Sequence, residues 1–122
     1  MPLATIQIYN GWSTQQKQRL LDSLKIAILE SLAVPEDDLQ LRIQEYDAAQ
    51  VKAPKNTTNK YVVLEIALFE GRDLEVKKSL YKAINLKLSK IDINPNDIFI
   101  MLLEIPKNNF GIDGGKAAGE LY

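Results

Sequence analysis

At 122 residues, with 46% apolar and 25% charged side chains, the chain has the length and composition of a single globular domain. Its net charge of −1 provides no basic surface for nucleic acid, and it has neither a bilayer-spanning apolar run nor a signal-peptide pattern. The lack of cysteine and histidine excludes disulfides, thiol nucleophiles, histidine bases and the commonest transition-metal ligand. We therefore expect a cytoplasmic protein without metal or cofactor, in which any catalysis uses an amine, carboxylates, arginine, tyrosine or the backbone.

The second residue is a candidate catalytic group. If Met1 is removed, Pro2 becomes the amino terminus and its ring nitrogen becomes a secondary amine. An α-amino group titrates near pH ~8 in water, and burial or a nearby arginine lowers that pKa, so this nitrogen could exchange protons at neutral pH. If Met1 is retained, the nitrogen is an amide without a basic lone pair. Proline forms about 5% of residues, so it also occurs at position 2 without a chemical reason.

The first half of the chain has the pattern of a β-α-β unit. Thr5–Tyr9 and Leu39–Gln44 alternate with period two, which is typical of strands. Ser13 and Gln16 form a capping-box pattern that predicts the start of a helix, and Val34-Pro35 predicts its end. The apolar stripe that we expect to face the core consists of Leu20, Leu24, Ala27, Ile28 and Ser31 or Leu32.

The second half has the same plan. Tyr61–Phe69 is predicted to be an apolar strand, and Asp73 is a plausible N-cap for the helix that follows the Glu70–Arg72 turn. Asn94–Asp97 breaks that helix, and Ile98–Ile105 forms a fourth strand. The predicted apolar face of the second helix consists of Val76, Leu80, Ile84, Leu88 and Ile91.

Residues recur between the two halves at a nearly constant offset, which indicates an internal duplication. We interpret the chain as one domain with repeats 1–46 and 61–105, a polar linker 47–60 and a C-terminal segment 106–122. Two unrelated units with similar helix signals are the alternative. Gly11, Lys17 and Leu20 lie sixty positions before Gly71, Lys77 and Leu80, and Asp38, Leu39 and Glu45 lie fifty-nine before Asp97, Ile98 and Glu104.

This pattern predicts an α+β fold, in which two right-handed β-α-β units form one four-stranded sheet with both helices on one face. Tyr61–Phe69 and Ile98–Ile105 are apolar on both faces, so we expect them to be central strands of the sheet. Because the helices cover only one face, we expect self-association to cover the other.

A starting proline, a repeated β-α-β unit and the stretch Phe110–Gly115 within the closing segment together resemble the tautomerase superfamily. The likeness is to fused, two-unit members related to 4-oxalocrotonate tautomerase, such as malonate semialdehyde decarboxylase. The resemblance implies an isomerase that acts on a small carboxylate, needs no cofactor or metal, and assembles as a homotrimer.

The resemblance also implies roles for four residues. Pro2 matches the family's catalytic proline, and Arg72 matches an arginine that binds the substrate carboxylate, which a guanidinium does bidentately. Arg72 could equally be a solvated turn residue or a partner of Glu75. Asp38 matches an acid that acts on water, and it is equally suited to capping the turn before a strand. Phe110 matches an apolar pocket residue, and could instead be a core or subunit-contact aromatic.

Three departures from the family pattern bear on the substrate. Trp12 stands where the one-unit enzyme has an arginine at its first turn. Gln40 stands where that enzyme has an arginine in its second strand, and Phe99 stands at the equivalent position of the second repeat. A monocarboxylate such as a 2-oxo acid therefore suits the chain better than a dicarboxylate. The sequence thus predicts a tautomerase of a small 2-oxo acid, with a decarboxylase or hydratase, or a non-catalytic oligomeric binding module, as alternatives.

Overall fold

The computed structural model of the chain describes residues 2–122, in which two helices pack on one face of a four-stranded sheet. The predicted α+β architecture is confirmed. Neither helix within these residues is long and apolar enough to cross a membrane. The elements are β1 (Pro2–Tyr9), α1 (Thr14–Ser31), β2 (Gln40–Tyr46), β3 (Val62–Phe69), α2 (Leu74–Ser89), β4 (Ile98–Ile105), β5 (Gly111–Ile112) and β6 (Lys116–Ala117).

The sheet has the strand order β2-β1-β3-β4. β1 pairs in parallel with β2, and β3 pairs in parallel with β4, as two β-α-β units require. The units join through the antiparallel pair β1 and β3, in which Pro2 lies opposite Leu68 and Gln7 lies opposite Val63. The start of each central strand therefore lies beside the end of the other.

Both helices begin as the sequence predicts. Ser13 accepts a hydrogen bond from the Gln16 backbone, and the Gln16 side chain accepts one from the Ser13 backbone, so the capping box is complete. Asp73 caps α2 by accepting from the Val76 backbone. α1 ends at Ser31, three residues before the predicted Val34-Pro35, with Leu32 as an extended C-cap.

The core lies between the helices and the inner face of the sheet. Alternate residues of β1 and β3 are buried there, as period-two strands require. The predicted helix stripes supply the opposite side, and Leu32 rather than Ser31 completes the first of them. In the second stripe, Val76 is only partly buried, and Ile91 lies beyond the end of α2 but still packs against the core. Burial of this apolar surface is the main term that favours folding. The fully buried large side chains are Ile6, Ile8, Leu20, Leu24, Ile28, Leu64, Ile66, Leu68, Leu80, Ile84, Leu88 and Ile93.

The same ion pair occurs in each unit. Lys17, early in α1, pairs with Glu45 near the end of β2. Lys77, early in α2, pairs with Glu104 near the end of β4, with 2.6 Å between Nζ and Oε1. Each pair ties the first turn of a helix to the second strand of its own unit. Exposed pairs of this kind contribute at most about 1 kcal/mol each.

The prediction that the fourth strand is central is wrong. β4 lies at an edge of the sheet, and β1 takes the second central place beside β3. The second apolar face of β4 is exposed instead of buried, with Phe99, Met101 and Leu103 at 48%, 37% and 44% relative exposure. The outward-facing apolar residues of β4 therefore lie exposed on the sheet face opposite the helices.

The linker is anchored where it enters β3. The buried Asp97 carboxylate, 1% exposed, accepts hydrogen bonds from the Thr58 backbone and hydroxyl, each at 2.6 Å. The anchor joins the segment before β3 to the turn before β4. Because it satisfies a buried carboxylate, it is energetically more important than the exposed contacts of the linker.

We expect Thr58→Val to lower the free energy of unfolding by about 1.5–3 kcal/mol, because it removes a hydrogen bond to a buried charged group. Urea unfolding followed by circular dichroism measures the change. Thr57→Val is the matched control, since the Thr57 hydroxyl bonds only to the exposed Pro54 carbonyl oxygen. Equal losses in the two variants would show that Asp97 does not anchor the linker.

Candidate active site

Pro2 lies at the start of β1, where the end of β3 passes beside it. The residue is buried, and its register partner is Leu68, next to the last residue of β3. The chemistry of Pro2 depends on the removal of Met1, which lies outside the part of the chain that the structure describes. The structure thus positions Pro2 at an end of the sheet where a turn and a loop can surround it.

Arg72 lies at this same end of the sheet, in the turn that follows β3. Its Nη1 donates a hydrogen bond to the Phe69 carbonyl oxygen at 3.0 Å, and its side chain is half-buried. The bond uses one of five guanidinium donors, so the others stay available for an anion. Glu75, the alternative partner, lies 3.9 Å from Lys78 Nζ instead.

Asp38 is brought to the same region by the pairing of β1 with β2. It ends the short 3-10 turn Glu36–Asp38, two residues before Gln40, which lies opposite Leu3. Its Oδ2 accepts a hydrogen bond of 2.8 Å from the Tyr122 hydroxyl. Asp38 therefore lies two residues before β2, on the side of the sheet end where β1 begins with Pro2, and both the capping and the catalytic interpretation stay predictions.

Phe110 belongs to an aromatic cluster centred on Phe69. Its ring meets that of Phe69 edge to face, with 5.2 Å between centroids, and Tyr122 packs on Phe69 at 5.7 Å. The Lys107 ammonium lies 5.5 Å from the Phe69 centroid, in cation–π range. The four predicted residues Pro2, Arg72, Asp38 and Phe110 therefore gather around one end of the sheet, each connected to Phe69 or its neighbours.

Phe69, Lys107 and Tyr122 are members of this cluster that the sequence did not identify. Phe69 carried a signal, because it ends the predicted strand just before the Gly71-Arg72 turn. Tyr122 carried none, since its contact with Asp38 spans 84 positions.

The C-terminal segment holds Tyr122 in place through its own backbone. The Ala118 N–H donates to the Phe110 carbonyl oxygen at 2.9 Å, and the Tyr122 N–H donates to the Ala118 carbonyl oxygen at 3.0 Å. Gly119 packs so closely that a Cβ there would lie 2.2 Å from Asn108 Oδ1. The position of Tyr122 thus follows from a compact turn, in which Gly119 leaves room for the Asn108 side chain.

The charges of the cluster suit an anionic ligand. Arg72 and Lys107 supply two cations, and Asp38 with Tyr122 supplies an acid and a hydrogen-bonded phenol. The hydrogen bond to Asp38, with smaller contributions from burial and the carboxylate's charge, raises the pKa of Tyr122 above its ordinary value of 10.0. Such a set can bind a carboxylate and place a phenol beside it.

Trp12 and Gln40 occupy different positions relative to this cluster. Gln40 is exposed and pairs with Leu3, the residue that follows Pro2. Trp12 follows the far end of β1, about 25 Å from Pro2 along an eight-residue strand. Within one chain, Trp12 therefore lies outside the candidate site.

Comparison with known proteins adds a family match and several relatives. A family model described as "Tautomerase enzyme" matches residues 40–113, a segment that includes Arg72 and Phe110. The Bacillus subtilis (strain 168) protein named Probable tautomerase YusQ is 26% identical over 123 residues, covering 96% of this chain and 97% of that protein.

Two solved structures have closely similar folds. A fused 4-OT described as a wild-type symmetric trimer is 28% identical, with a TM-score of 0.85 and 96% of each chain covered. Malonate semialdehyde decarboxylase has a TM-score of 0.88 at 21% identity, covering 98% of this chain and 95% of that one, which shows a shared fold.

We expect Asp38→Asn to lower the pKa of Tyr122 toward about 10, because it removes a charged acceptor that favours the neutral phenol. Carbon-13 NMR of Cζ-labelled tyrosine against pH measures the change, with Tyr122→Phe assigning the signal. Asp37→Asn is the matched control, since it alters the neighbouring acid of the same turn. The pKa of Tyr61, raised chiefly by burial, should stay constant. An unchanged Tyr122 pKa in Asp38→Asn would contradict the contact.

Proposed function

The chain belongs to the tautomerase enzyme family, and on that premise we propose that it interconverts the keto and enol forms of a small 2-oxo acid. Pro2 is the proposed general acid–base. The observation that carries the proposal is the antiparallel pair β1 and β3, because it sets buried Pro2 opposite Leu68, and the carbonyl of the next residue, Phe69, binds Arg72.

The proposed reaction needs a neutral amine at Pro2, and therefore needs Met1 to be absent. The nitrogen takes the proton from the enol hydroxyl, and the resulting ammonium returns a proton to the carbon of the enolate. The cations of Arg72 and Lys107 disfavour a standing positive charge on Pro2, which keeps the nitrogen ready to accept a proton.

The substrate class follows from the charge and shape of the cluster. Arg72 is the proposed carboxylate ligand, since its guanidinium stays charged at any working pH and can bind bidentately. Phe110 and Phe69 offer an apolar wall beside it. A 2-oxo acid with an apolar or aryl substituent, such as phenylpyruvate, fits both features.

Decarboxylation or hydration of a small 3-oxo acid is the second candidate, favoured by one contact. The Asp38 carboxylate is held by the Tyr122 hydroxyl at 2.8 Å, in the same region as Pro2. An oriented carboxylate can accept a proton from water in hydration. In decarboxylation, its negative charge can repel the substrate carboxylate and so favour the loss of that group as CO2. Malonate semialdehyde decarboxylase, which shares the fold, is described as having decarboxylase and hydratase activities.

A non-catalytic oligomeric binding module is the remaining alternative, and it requires no chemistry at Pro2. Intact-mass measurement of untagged protein separates it from the enzyme, because the loss of one methionine is unmistakable. In that alternative, Met1 is retained and Arg72 and Phe110 act only in packing or in binding.

We also propose that the chain forms a homotrimer through the exposed face of its sheet. Phe99, Met101 and Leu103 form an apolar strip along β4 on that face, and an uncovered strip of this kind marks an interaction surface. The similar fused 4-OT structure is described as a symmetric trimer.

For the activity, we expect Pro2→Ala to lower kcat/KM for phenylpyruvate tautomerisation by about 10²-fold, because a flexible primary amine replaces the fixed secondary one. Arg72→Ala should raise KM by about 10- to 100-fold, because charge-assisted hydrogen bonds to the carboxylate are lost. Ultraviolet absorbance follows the keto–enol conversion. Lys82→Ala, on the exposed side of α2, is the control and should match the parent.

Parent protein that has lost Met1 and yet shows no activity above buffer on several 2-oxo acids would contradict the tautomerase proposal. In the same preparations, 3-oxopropanoate tests the second candidate. Asp38→Asn should then abolish decarboxylation, and an unchanged decarboxylation rate in this variant would exclude the acid's role.

For the assembly, we expect Phe99→Asp to convert the trimer into a monomer, because it places a charge in an apolar interface. Analytical ultracentrifugation measures the mass. Leu86→Asp is the matched control, since Leu86 is similarly exposed (57%) but lies on α2, on the other side of the molecule. A parent that sediments as a monomer, or a trimer that survives Phe99→Asp, would contradict this arrangement.

A further inference from the structure

A cleft lies at the opposite end of the sheet from Pro2. It has a volume of about 400 Å³ and is formed where the turn after β1, the last linker residues and the turn after α2 meet. A cavity of this size is within the range of small-molecule sites. Its chemically informative lining residues are Trp12, Arg19, Lys60, Lys90 and Asp92.

The cleft occupies, in the first unit, the place that the Arg72 turn occupies in the second. Gly11 and Gly71 have nearly identical positive φ angles, 111° and 113°, and each is followed two residues later by the N-cap of a helix. Trp12 therefore stands where the second unit has Arg72. At this position, an indole replaces a guanidinium.

The positive charge of the cleft comes from three other side chains. Arg19 of α1, Lys60 of the linker and Lys90 after α2 converge on it, and Asp92 is the one acid among its lining residues. Within residues 2–122, these three cations form no ion pair with a carboxylate, unlike Lys17 and Lys77. Lys60 Nζ donates at 3.4 Å to the Asp92 carbonyl oxygen, which positions its ammonium at the rim.

We propose that this cleft binds a small organic anion with a planar apolar body, of the aryl carboxylate class. The indole of Trp12 provides a surface on which a ring can stack, and Arg19, Lys60 and Lys90 bind the carboxylate. A locally positive cleft on a chain of net charge −1 also concentrates such anions. The site is separate from Pro2 and does not depend on catalysis there.

The sequence provides a direct probe, because Trp12 is the single tryptophan. Its indole N–H signal in a proton–nitrogen NMR spectrum needs no assignment by mutation. Titration of the full chain with benzoate should shift this signal to saturation, whereas the neutral analogue benzyl alcohol should give no saturable shift. Lys90→Gln and Arg19→Gln should each weaken benzoate binding by about tenfold, since each removes one charged hydrogen bond.

Two further variants decide where benzoate binds. Lys82→Gln, which removes an α2 lysine outside the cleft, should bind benzoate as the parent does. Arg72→Gln should also leave the Trp12 response intact, even if the activity at Pro2 is lost or absent. The proposal is overturned if benzoate gives no saturable shift, if benzyl alcohol gives an equal one, if Lys90→Gln and Arg19→Gln bind normally, or if Arg72→Gln abolishes the response.

Discussion

The antiparallel pairing of β1 with β3 determines the arrangement of the rest of the molecule. The pair of Pro2 with Leu68 aligns the two β-α-β units so that the start of one central strand lies beside the end of the other. Each end of the sheet therefore combines a strand start from one unit with a strand–helix turn from the other. Equivalent turns therefore lie at opposite ends of the sheet, one with Arg72 and one with Trp12, and the Trp12 turn lines a cleft.

At the Pro2 end, Phe69 connects the charged groups to the fold. Its carbonyl fixes Arg72, its ring contacts Phe110 and Tyr122, and Lys107 lies over the same ring. A single residue at the end of a buried strand, through its carbonyl and its ring, thus sets the spacing of two cations and a phenol. Because β3 is a central strand and is buried on its inner face, this spacing is supported by the core of the sheet.

Local signals in the sequence predicted the fold well, and long-range contacts were beyond it. The Ser13 and Asp73 caps and the period-two strands depend on residues within one turn or one strand, so they could be read directly. The edge position of β4 could not be predicted in this way. A strand with two apolar faces has the same sequence pattern whether it is central in the sheet or lies at an edge where another subunit covers its second face. Tyr122 could not be found either, since only the folded C-terminal turn brings it to Asp38.

The linker anchor at Asp97 has a consequence for how the two units are held together. Residues 47–60 add no strand to the sheet, and the Thr58 contact secures only their last part. Each unit retains its own lysine–glutamate pair, and the units meet through the β1–β3 ladder and the packed helices. The linker therefore acts as a tether that raises the effective concentration of one unit for the other. A single backbone cut within the linker would leave two fragments in which every hydrogen bond of the sheet could still form. In its sheet pairing, the molecule therefore resembles a heterodimer whose two β-α-β units are joined by one covalent linker.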